Sequence, residues 1–172
     1  AVLAGFVINA AHAFMLTPGG YFQNPSGLAA AFNPTTFASF AHLLIPCVVN
    51  AALLYFLYAL FRRGRADGEE RAFHEWGAQY SGRIAAVGLL LQPAAGLLFL
   101  LKIRAVDPAI FQRIVAGGAA GFFWPMLSLA LIAAVSSAAF LLTGCRRHRL
   151  MVVSAAAAFL AFPFGGYARE RA

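Results

Sequence analysis

The first 61 residues of this chain contain no Asp, Glu, Lys or Arg. Charged residues make up about a quarter of an average soluble domain, because the folded surface must face water. Over all 172 residues the chain is 62% hydrophobic and only 11% charged. A charge-free stretch of this length can fold in lipid but would not stay soluble in water. The composition therefore predicts an integral membrane protein.

Five apolar segments are long enough to be considered as membrane spans: about 1–16, 38–61, 84–101, 119–143 and 150–164. A helix needs about 20 residues to cross a bilayer, and it satisfies its own backbone hydrogen bonds there, which an isolated strand does not. The alternation of apolar and polar residues that marks a barrel wall is absent. The predicted fold class is an all-α integral membrane bundle of about five transmembrane helices, forming a single domain over residues 1–172.

The arginines are concentrated in two short polar segments, 62–83 and 144–149, which carry eight of them. This bias predicts that both segments are cytoplasmic and that segments 17–37 and 102–118 face the other side of the membrane. It also explains the net charge of +7 without a nucleic-acid partner. Segment 62–83 is expected to be a solvated loop, and His74 and His148 are expected to be solvated as well.

Three side chains that can bind haem iron fall at a similar depth of the predicted bundle. His12 lies near the end of the first span, His42 lies near the start of the second, and Met126 lies near the start of the fourth. A histidine within a span is costly and calls for a partner, and a His/Met pair is a known axial ligand set for haem. The alternative is that Met126 fills a packing gap and that the histidines bond neighbouring carbonyl groups.

Two stretches of the sequence resemble subunit I of the cytochrome bd-type quinol oxidases. The first is "INAAHAFMLTPGGYFQNPSG", in which residues 14–20 match a family motif of the form Asn-(Gly/Ser)-(Trp/Phe)-Met-Gln-(Asn/Thr)-Pro-Val-Gly. The second is "FNPTTFASFAHLLIPCVVNAALLYFLYALF", which contains the family's Asn-Pro segment and a helix that opens Phe-Ala-His. The C-terminal "GGYARERA" is similar to the start of a further family motif.

The resemblance implies a set of cofactor residues. It implies that His42 and Met126 are the axial ligands of a low-spin haem b, and that Glu170 serves a second haem at the same face. In this family these sites lie toward the periplasmic face of the bacterial inner (cytoplasmic) membrane. Arg113, together with Lys102 and Arg104, is expected either to neutralise haem propionates or to anchor the chain at the membrane interface.

The sequence also departs from the family. His12 stands where the oxidases have Asn, so it is a candidate for an extra iron ligand, a propionate partner or a proton carrier. Trp124 and Pro125 occupy the region where the family has an Arg before the ligand Met. If they displace Met126 from the iron, His12 is the best substitute, but the His42/Met126 pair is the expected one. The family's N-terminal helices and its long quinol-binding loop have no full counterpart, so terminal oxygen reduction by this chain alone is not expected.

The expected function is therefore electron transfer in a membrane respiratory complex. The chain would bind haem b and exchange electrons between the quinone pool and partner redox subunits, which include a cytochrome c or iron-sulfur subunit among the candidates. As an enzyme it would act only within a quinol-oxidising complex. Two alternatives are a haem-free structural subunit and a transporter or channel subunit whose histidines carry protons.

Overall fold

The structure is a computed structural model that describes residues 2–18, 21–22 and 25–171. These residues form helices and turns and no strand, which confirms the all-α fold class. In chain order the helices α1 to α7 are Val2–Leu16, Gly27–Ala31, Thr36–Arg63, Gly68–Val106, Pro108–Val115, Ala120–Leu142 and His148–Glu170.

Four of these helices, α3, α4, α6 and α7, are long and apolar enough to cross a membrane. The shortest two have 23 residues, which at about 1.5 Å per residue exceeds the roughly 30 Å of hydrocarbon in a bilayer. The first predicted span corresponds to α1, which has only 15 residues in the described part of the chain. Four helices that could span a membrane therefore agree with the sequence analysis, and the fifth span stays a prediction.

Helix α4 begins much earlier than the sequence analysis expected. The polar segment 62–83 was expected to be a loop, but the helix starts at Gly68 and continues for 39 residues to Val106. Glu69 and Glu70 lie in its first turn, where negative charge favourably meets the positive end of the helix dipole. The charged residues between 68 and 83 are therefore helical and precede the apolar segment rather than linking two spans as a loop.

Helix α5 lies within segment 102–118, which the sequence analysis placed on the side of the membrane opposite the arginine-rich segments. The carboxylate of Asp107 accepts hydrogen bonds from the backbone N–H groups of Ala109 at 3.0 Å and Ile110 at 3.1 Å. Pro108 follows the cap, where its fixed φ suits the first helical position and its missing N–H costs nothing. Local capping thus builds a short helix between α4 and α6.

The chain divides into two compact units. Unit 1 consists of the described residues of 1–44, 94–126 and 162–172, and unit 2 consists of 45–93 and 127–161. Each of the four long helices contributes one part to each unit. In every one of them the boundary falls within two residues of a proline, namely Pro46, Pro93, Pro125 and Pro163. Proline has no N–H to donate, so each helix lacks one internal hydrogen bond at this level.

Unit 2 contains a continuous apolar core. Leu53, Phe56, Phe140 and Met151 are fully buried in it. The rings of Phe56 and Phe140 meet edge to face, with their centroids 6.3 Å apart. This core packs the second half of α3 against the first half of α4, the second half of α6 and the first half of α7.

Buried polar contacts join α1 to the start of α3 in unit 1. The Asn33 side-chain oxygen accepts hydrogen bonds from the backbone N–H and the hydroxyl of Thr35, at 2.9 and 2.8 Å. The Thr35 hydroxyl lies 2.7 Å from that of Thr17. The Asn9 amide donates to the Thr36 carbonyl at 3.1 Å and accepts from Ser39 at 2.7 Å. Asn33 thus orders the residues before α3, and Thr35 and Thr36 connect that end of the helix to α1.

Candidate functional site

Unit 1 contains all five residues that the sequence analysis proposed as cofactor ligands or partners: His12, His42, Arg113, Met126 and Glu170. They come from α1, α3, α5, α6 and α7. His42 and Met126 are half-buried, whereas His12, Arg113 and Glu170 are exposed. The two residues with expected roles as axial ligands are thus the two that the fold partly encloses.

The imidazole of His42 lies against one face of α4. Its ring is nearly parallel to that of Phe99, with 5.8 Å between centroids and 27° between planes. One turn before Phe99, a Cβ added to Gly96 would lie only 3.2 Å from Cε1 of the imidazole. Glycine at position 96 therefore lets the backbone of α4 approach the His42 ring more closely than other residues would.

The thioether of Met126 likewise lies against a glycine, in this case on α7. A Cβ added to Gly165 would lie 3.2 Å from the sulfur of Met126. Met126 itself directly follows Pro125 in α6. Each proposed ligand thus faces a glycine of a different helix, Gly96 for His42 and Gly165 for Met126.

His42, Met126, Gly96 and Gly165 share a further property. Each lies within four residues of a proline in its own helix. His42 precedes Pro46 by four residues, Gly96 follows Pro93 by three, and Gly165 follows Pro163 by two. In membrane helices, missing backbone hydrogen bonds are tolerated where neighbouring groups or cavities compensate for them. Of the four residues, only His42 precedes its proline, whereas Met126, Gly96 and Gly165 follow theirs.

The chemistry of these side chains fits a haem. A neutral imidazole nitrogen and a thioether sulfur are an established axial ligand pair for haem iron, and a glycine is the residue that allows a flat macrocycle or its ligand to approach a helix backbone. Among the described residues there is no group of three or more His, Cys, Asp or Glu side chains that could hold a bare metal ion. Arg113, Lys102 and Arg104 are exposed cations of unit 1. Within residues 2–18, 21–22 and 25–171 they form no salt bridge, so their charges could pair with propionates.

Part of the motif that carries the family resemblance cannot be placed. Gly19 and Gly20 lie outside the described residues, as do Gln23 and Asn24, so their part in the site stays a prediction. Ala172, the last residue of "GGYARERA", lies outside them as well. Glu170 is the last residue of α7.

A polar cluster in unit 2 was not found from the sequence. Glu75 accepts hydrogen bonds from Arg63, from His148 at 2.9 Å and from Gln79 at 3.1 Å. Burial alone would raise the pKa of the Glu75 carboxyl, but these three hydrogen bonds outweigh it and lower the pKa to about 2. Because Glu75 and His148 are 73 residues apart in the chain, no local sequence pattern predicts their contact.

The expectation that His74 and His148 are solvated is wrong. His74 is 6% exposed, and its ring meets that of Tyr58 edge to face at 6.1 Å. The side chain of His148 is 12% exposed. Both residues lie in helices that the sequence analysis took for loops or loop ends, and helical packing covers their rings.

Comparisons of the chain with models of protein families, with curated proteins and with solved structures find no match.

Proposed function

We propose that this chain is a membrane electron-transfer subunit that binds a haem b through His42 and Met126. It would exchange electrons between the quinone pool and partner redox subunits of a respiratory complex. The observation that carries the proposal is that both candidate ligands are half-buried in unit 1 and that each faces a glycine of a neighbouring helix. The resemblance of residues 8–61 to cytochrome bd subunit I supports the same assignment.

Bound haem b would supply a one-electron redox centre, and the protein would tune its potential. Phe99 and Gly96 would hold the His42 imidazole in one orientation. The Met126 thioether would raise the reduction potential compared with a second histidine. Arg113 would neutralise a propionate carboxylate.

The wider setting follows from the same resemblance. The chain would lie in a bacterial inner membrane with the haem toward the periplasmic face and the arginine-rich ends of the helices in the cytoplasm. Glu170 would serve a second haem, and His12 would be a propionate partner or a proton carrier. Other membrane subunits, and a cytochrome c or iron-sulfur subunit, would complete the path of the electrons, and oxygen reduction would belong to a partner.

The first test is a pyridine haemochrome assay with reduced-minus-oxidised spectra on the purified chain. We expect haem b in the wild type, loss of the low-spin spectrum in His42→Ala, and a five-coordinate spectrum in Met126→Leu. The matched control is His12→Ala, which should keep six-coordinate iron. Protein without haem would overturn the proposal and leave a structural subunit or a proton-carrying transporter as the function.

The choice between Met126 and His12 as the second ligand has its own test. Met126→His should keep a six-coordinate, low-spin haem and lower its midpoint potential, because imidazole stabilises ferric iron more than a thioether does. A redox titration measures this shift. If His12→Ala removes six coordination and Met126→Leu does not, the pairing is His42 with His12.

A further inference from the structure

A basic pocket opens in unit 2, which contains none of the residues proposed to bind haem. Its volume is about 480 Å³, and it lies between the end of α3, the first turns of α4 and the start of α7. The titratable side chains that line it are Arg63, Glu75, Arg146, Arg147, His148 and Arg149. Four arginines therefore face a single carboxylate.

That carboxylate is already fully engaged. Glu75 forms a salt bridge with Arg63 and accepts hydrogen bonds from His148 and Gln79. Within the described part of the chain, the guanidinium groups of Arg146, Arg147 and Arg149 form no salt bridge. The pocket thus has a surplus of positive charge and a surplus of hydrogen-bond donors.

The turn that carries these arginines has a fixed backbone. Helix α6 ends in a Schellman motif. The Cys145 N–H donates to the Phe140 carbonyl and the Gly144 N–H donates to the Leu141 carbonyl, both at 3.0 Å. Gly144 and Cys145 both have left-handed backbones, with φ of 65° and 63°. Cys145 is buried and its sulfur accepts a hydrogen bond from Arg83 Nε at 3.3 Å. Arg146 and Arg147 follow directly, so their starting positions are set by this turn.

The pocket lies at the ends of apolar helices, and this position indicates which kind of anion it binds. Arg63 is the last residue of α3, and the arginines 146, 147 and 149 flank the start of α7. Both helices are apolar enough to span a membrane, so their ends lie at the level of lipid headgroups. Guanidinium groups bind phosphate oxygens in pairs of parallel hydrogen bonds, and basic pockets at the ends of membrane helices suit anionic headgroups.

We propose that this pocket binds the phosphate group of an anionic phospholipid headgroup, with Arg146 and Arg147 as its main donors. Arg63 and His148 would form the inner wall, held in place by Glu75. Leu150 adds an apolar edge, which suits the glycerol backbone of a lipid better than it suits a free ion. The site does not depend on whether the chain binds haem.

Native mass spectrometry of the detergent-purified chain tests this, with phosphatidylglycerol or phosphatidylcholine added. We expect phosphatidylglycerol to stay bound and phosphatidylcholine to be lost. Arg146→Gln with Arg147→Gln should weaken phosphatidylglycerol binding by about thirtyfold, since each arginine near an anionic surface contributes on the order of a factor of five. The control is Arg65→Gln with Arg71→Gln, which removes the same charge from residues outside the lining and should leave binding unchanged.

Three results would overturn the proposal. They are equal retention of both lipids, equal loss of binding in the control pair, and displacement of phosphatidylglycerol by millimolar inorganic phosphate, which would indicate a site for free phosphate. If the glutamine pair fails to fold, Arg146→Lys with Arg147→Lys keeps the charge but lacks the paired donors. It should then bind phosphatidylglycerol several-fold more weakly than the wild type, and unchanged binding would contradict the assigned donors.

Discussion

Apolar side chains make up a larger share of the buried residues in unit 2 than in unit 1. Unit 2 encloses a continuous core of apolar residues around Phe56 and Phe140. Unit 1 buries polar residues, Asn9, Thr17 and Thr35 among them, and leaves its candidate haem ligands half-exposed. An apolar core gains stability by close packing alone, whereas half-exposed ligands keep room for a further molecule. The comparison indicates that unit 2 supplies most of the apolar core, and it agrees with the proposal that unit 1 binds the cofactor.

The glycines of the two units express the same difference. In unit 2, a Cβ on Gly88 would lie 2.3 Å from Cγ2 of Val49, and one on Gly82 would lie 2.9 Å from the Phe140 ring. In unit 1, the added Cβ atoms at Gly96 and Gly165 would lie 3.2 Å from a ligand candidate. Glycine thus permits tight helix packing in unit 2, and close approach to a candidate iron ligand in unit 1.

The largest effect on stability is expected from a substitution that creates a cavity in unit 2. Phe56→Ala removes a fully buried ring and should lower the free energy of unfolding by about 3 kcal/mol. Unfolding in mixed micelles of a mild detergent and dodecyl sulfate, followed by circular dichroism, measures it. Phe159→Ala is the control, because this ring is 36% exposed, and it should cost less than about 1 kcal/mol. Equal costs would show that unit 2 has no dominant core.

A smaller effect is expected from adding one methyl group to a glycine in each unit. Gly88→Ala should destabilise the chain by about 2 kcal/mol, because the β-branched Val49 has little freedom to move away. Gly96→Ala should cost less than about 1 kcal/mol, since the His42 ring can shift by a few tenths of an ångström. Gly96→Ala should nevertheless lower the haem content measured by absorbance. A normal haem content would argue against a role of Gly96 at the ligand.

The smallest effect concerns the Glu75 cluster and depends on pH. The folded pKa of Glu75 lies at about 2, below its ordinary value of 4.5. The contribution of the ionised Glu75 carboxylate to the free energy of unfolding is therefore present above about pH 4.5, and it is lost as the pH falls toward 2. Because the side chain is 35% exposed, solvent screening limits the contribution to about 1 kcal/mol. Thermal unfolding between pH 5 and pH 3 should show this loss in the wild type and not in Glu75→Gln, with the exposed Glu69→Gln behaving as the wild type.

Hydropathy was sufficient to predict the helical fold class and four of the membrane helices. It located both ends of α3 and α6 and the start of α7 to within a few residues, but not the C-terminal end of α7. This was possible because apolar length is a property of the local sequence. It failed at α4, whose first 16 residues are polar and mixed in charge. Such residues are compatible with both a solvated helix and a loop. Contacts distant in the chain, such as His74 with Tyr58 and Glu75 with His148, are not visible in the local pattern.

The candidate site was predictable only in its ligand types. Sequence identifies His42 and Met126 as residues that can bind iron, but Gly96 and Gly165 have no signature of their own among 16 glycines. Their role depends on which helix faces which side chain, and this is set by tertiary packing. The same holds for the Glu75–His148 pair, which joins two helices distant in the chain.

The placement of the two tryptophans gives each unit its own optical reporter. Trp76 of unit 2 stacks on Tyr80, with centroids 5.3 Å apart, and Trp124 of unit 1 donates its indole N–H to the Val115 carbonyl at 3.0 Å. The chain has only these two tryptophans. Replacing one of them by phenylalanine leaves a single emitter in a known unit. Fluorescence can then follow the unfolding of each unit separately, and energy transfer to a bound porphyrin should quench Trp124, two residues from Met126.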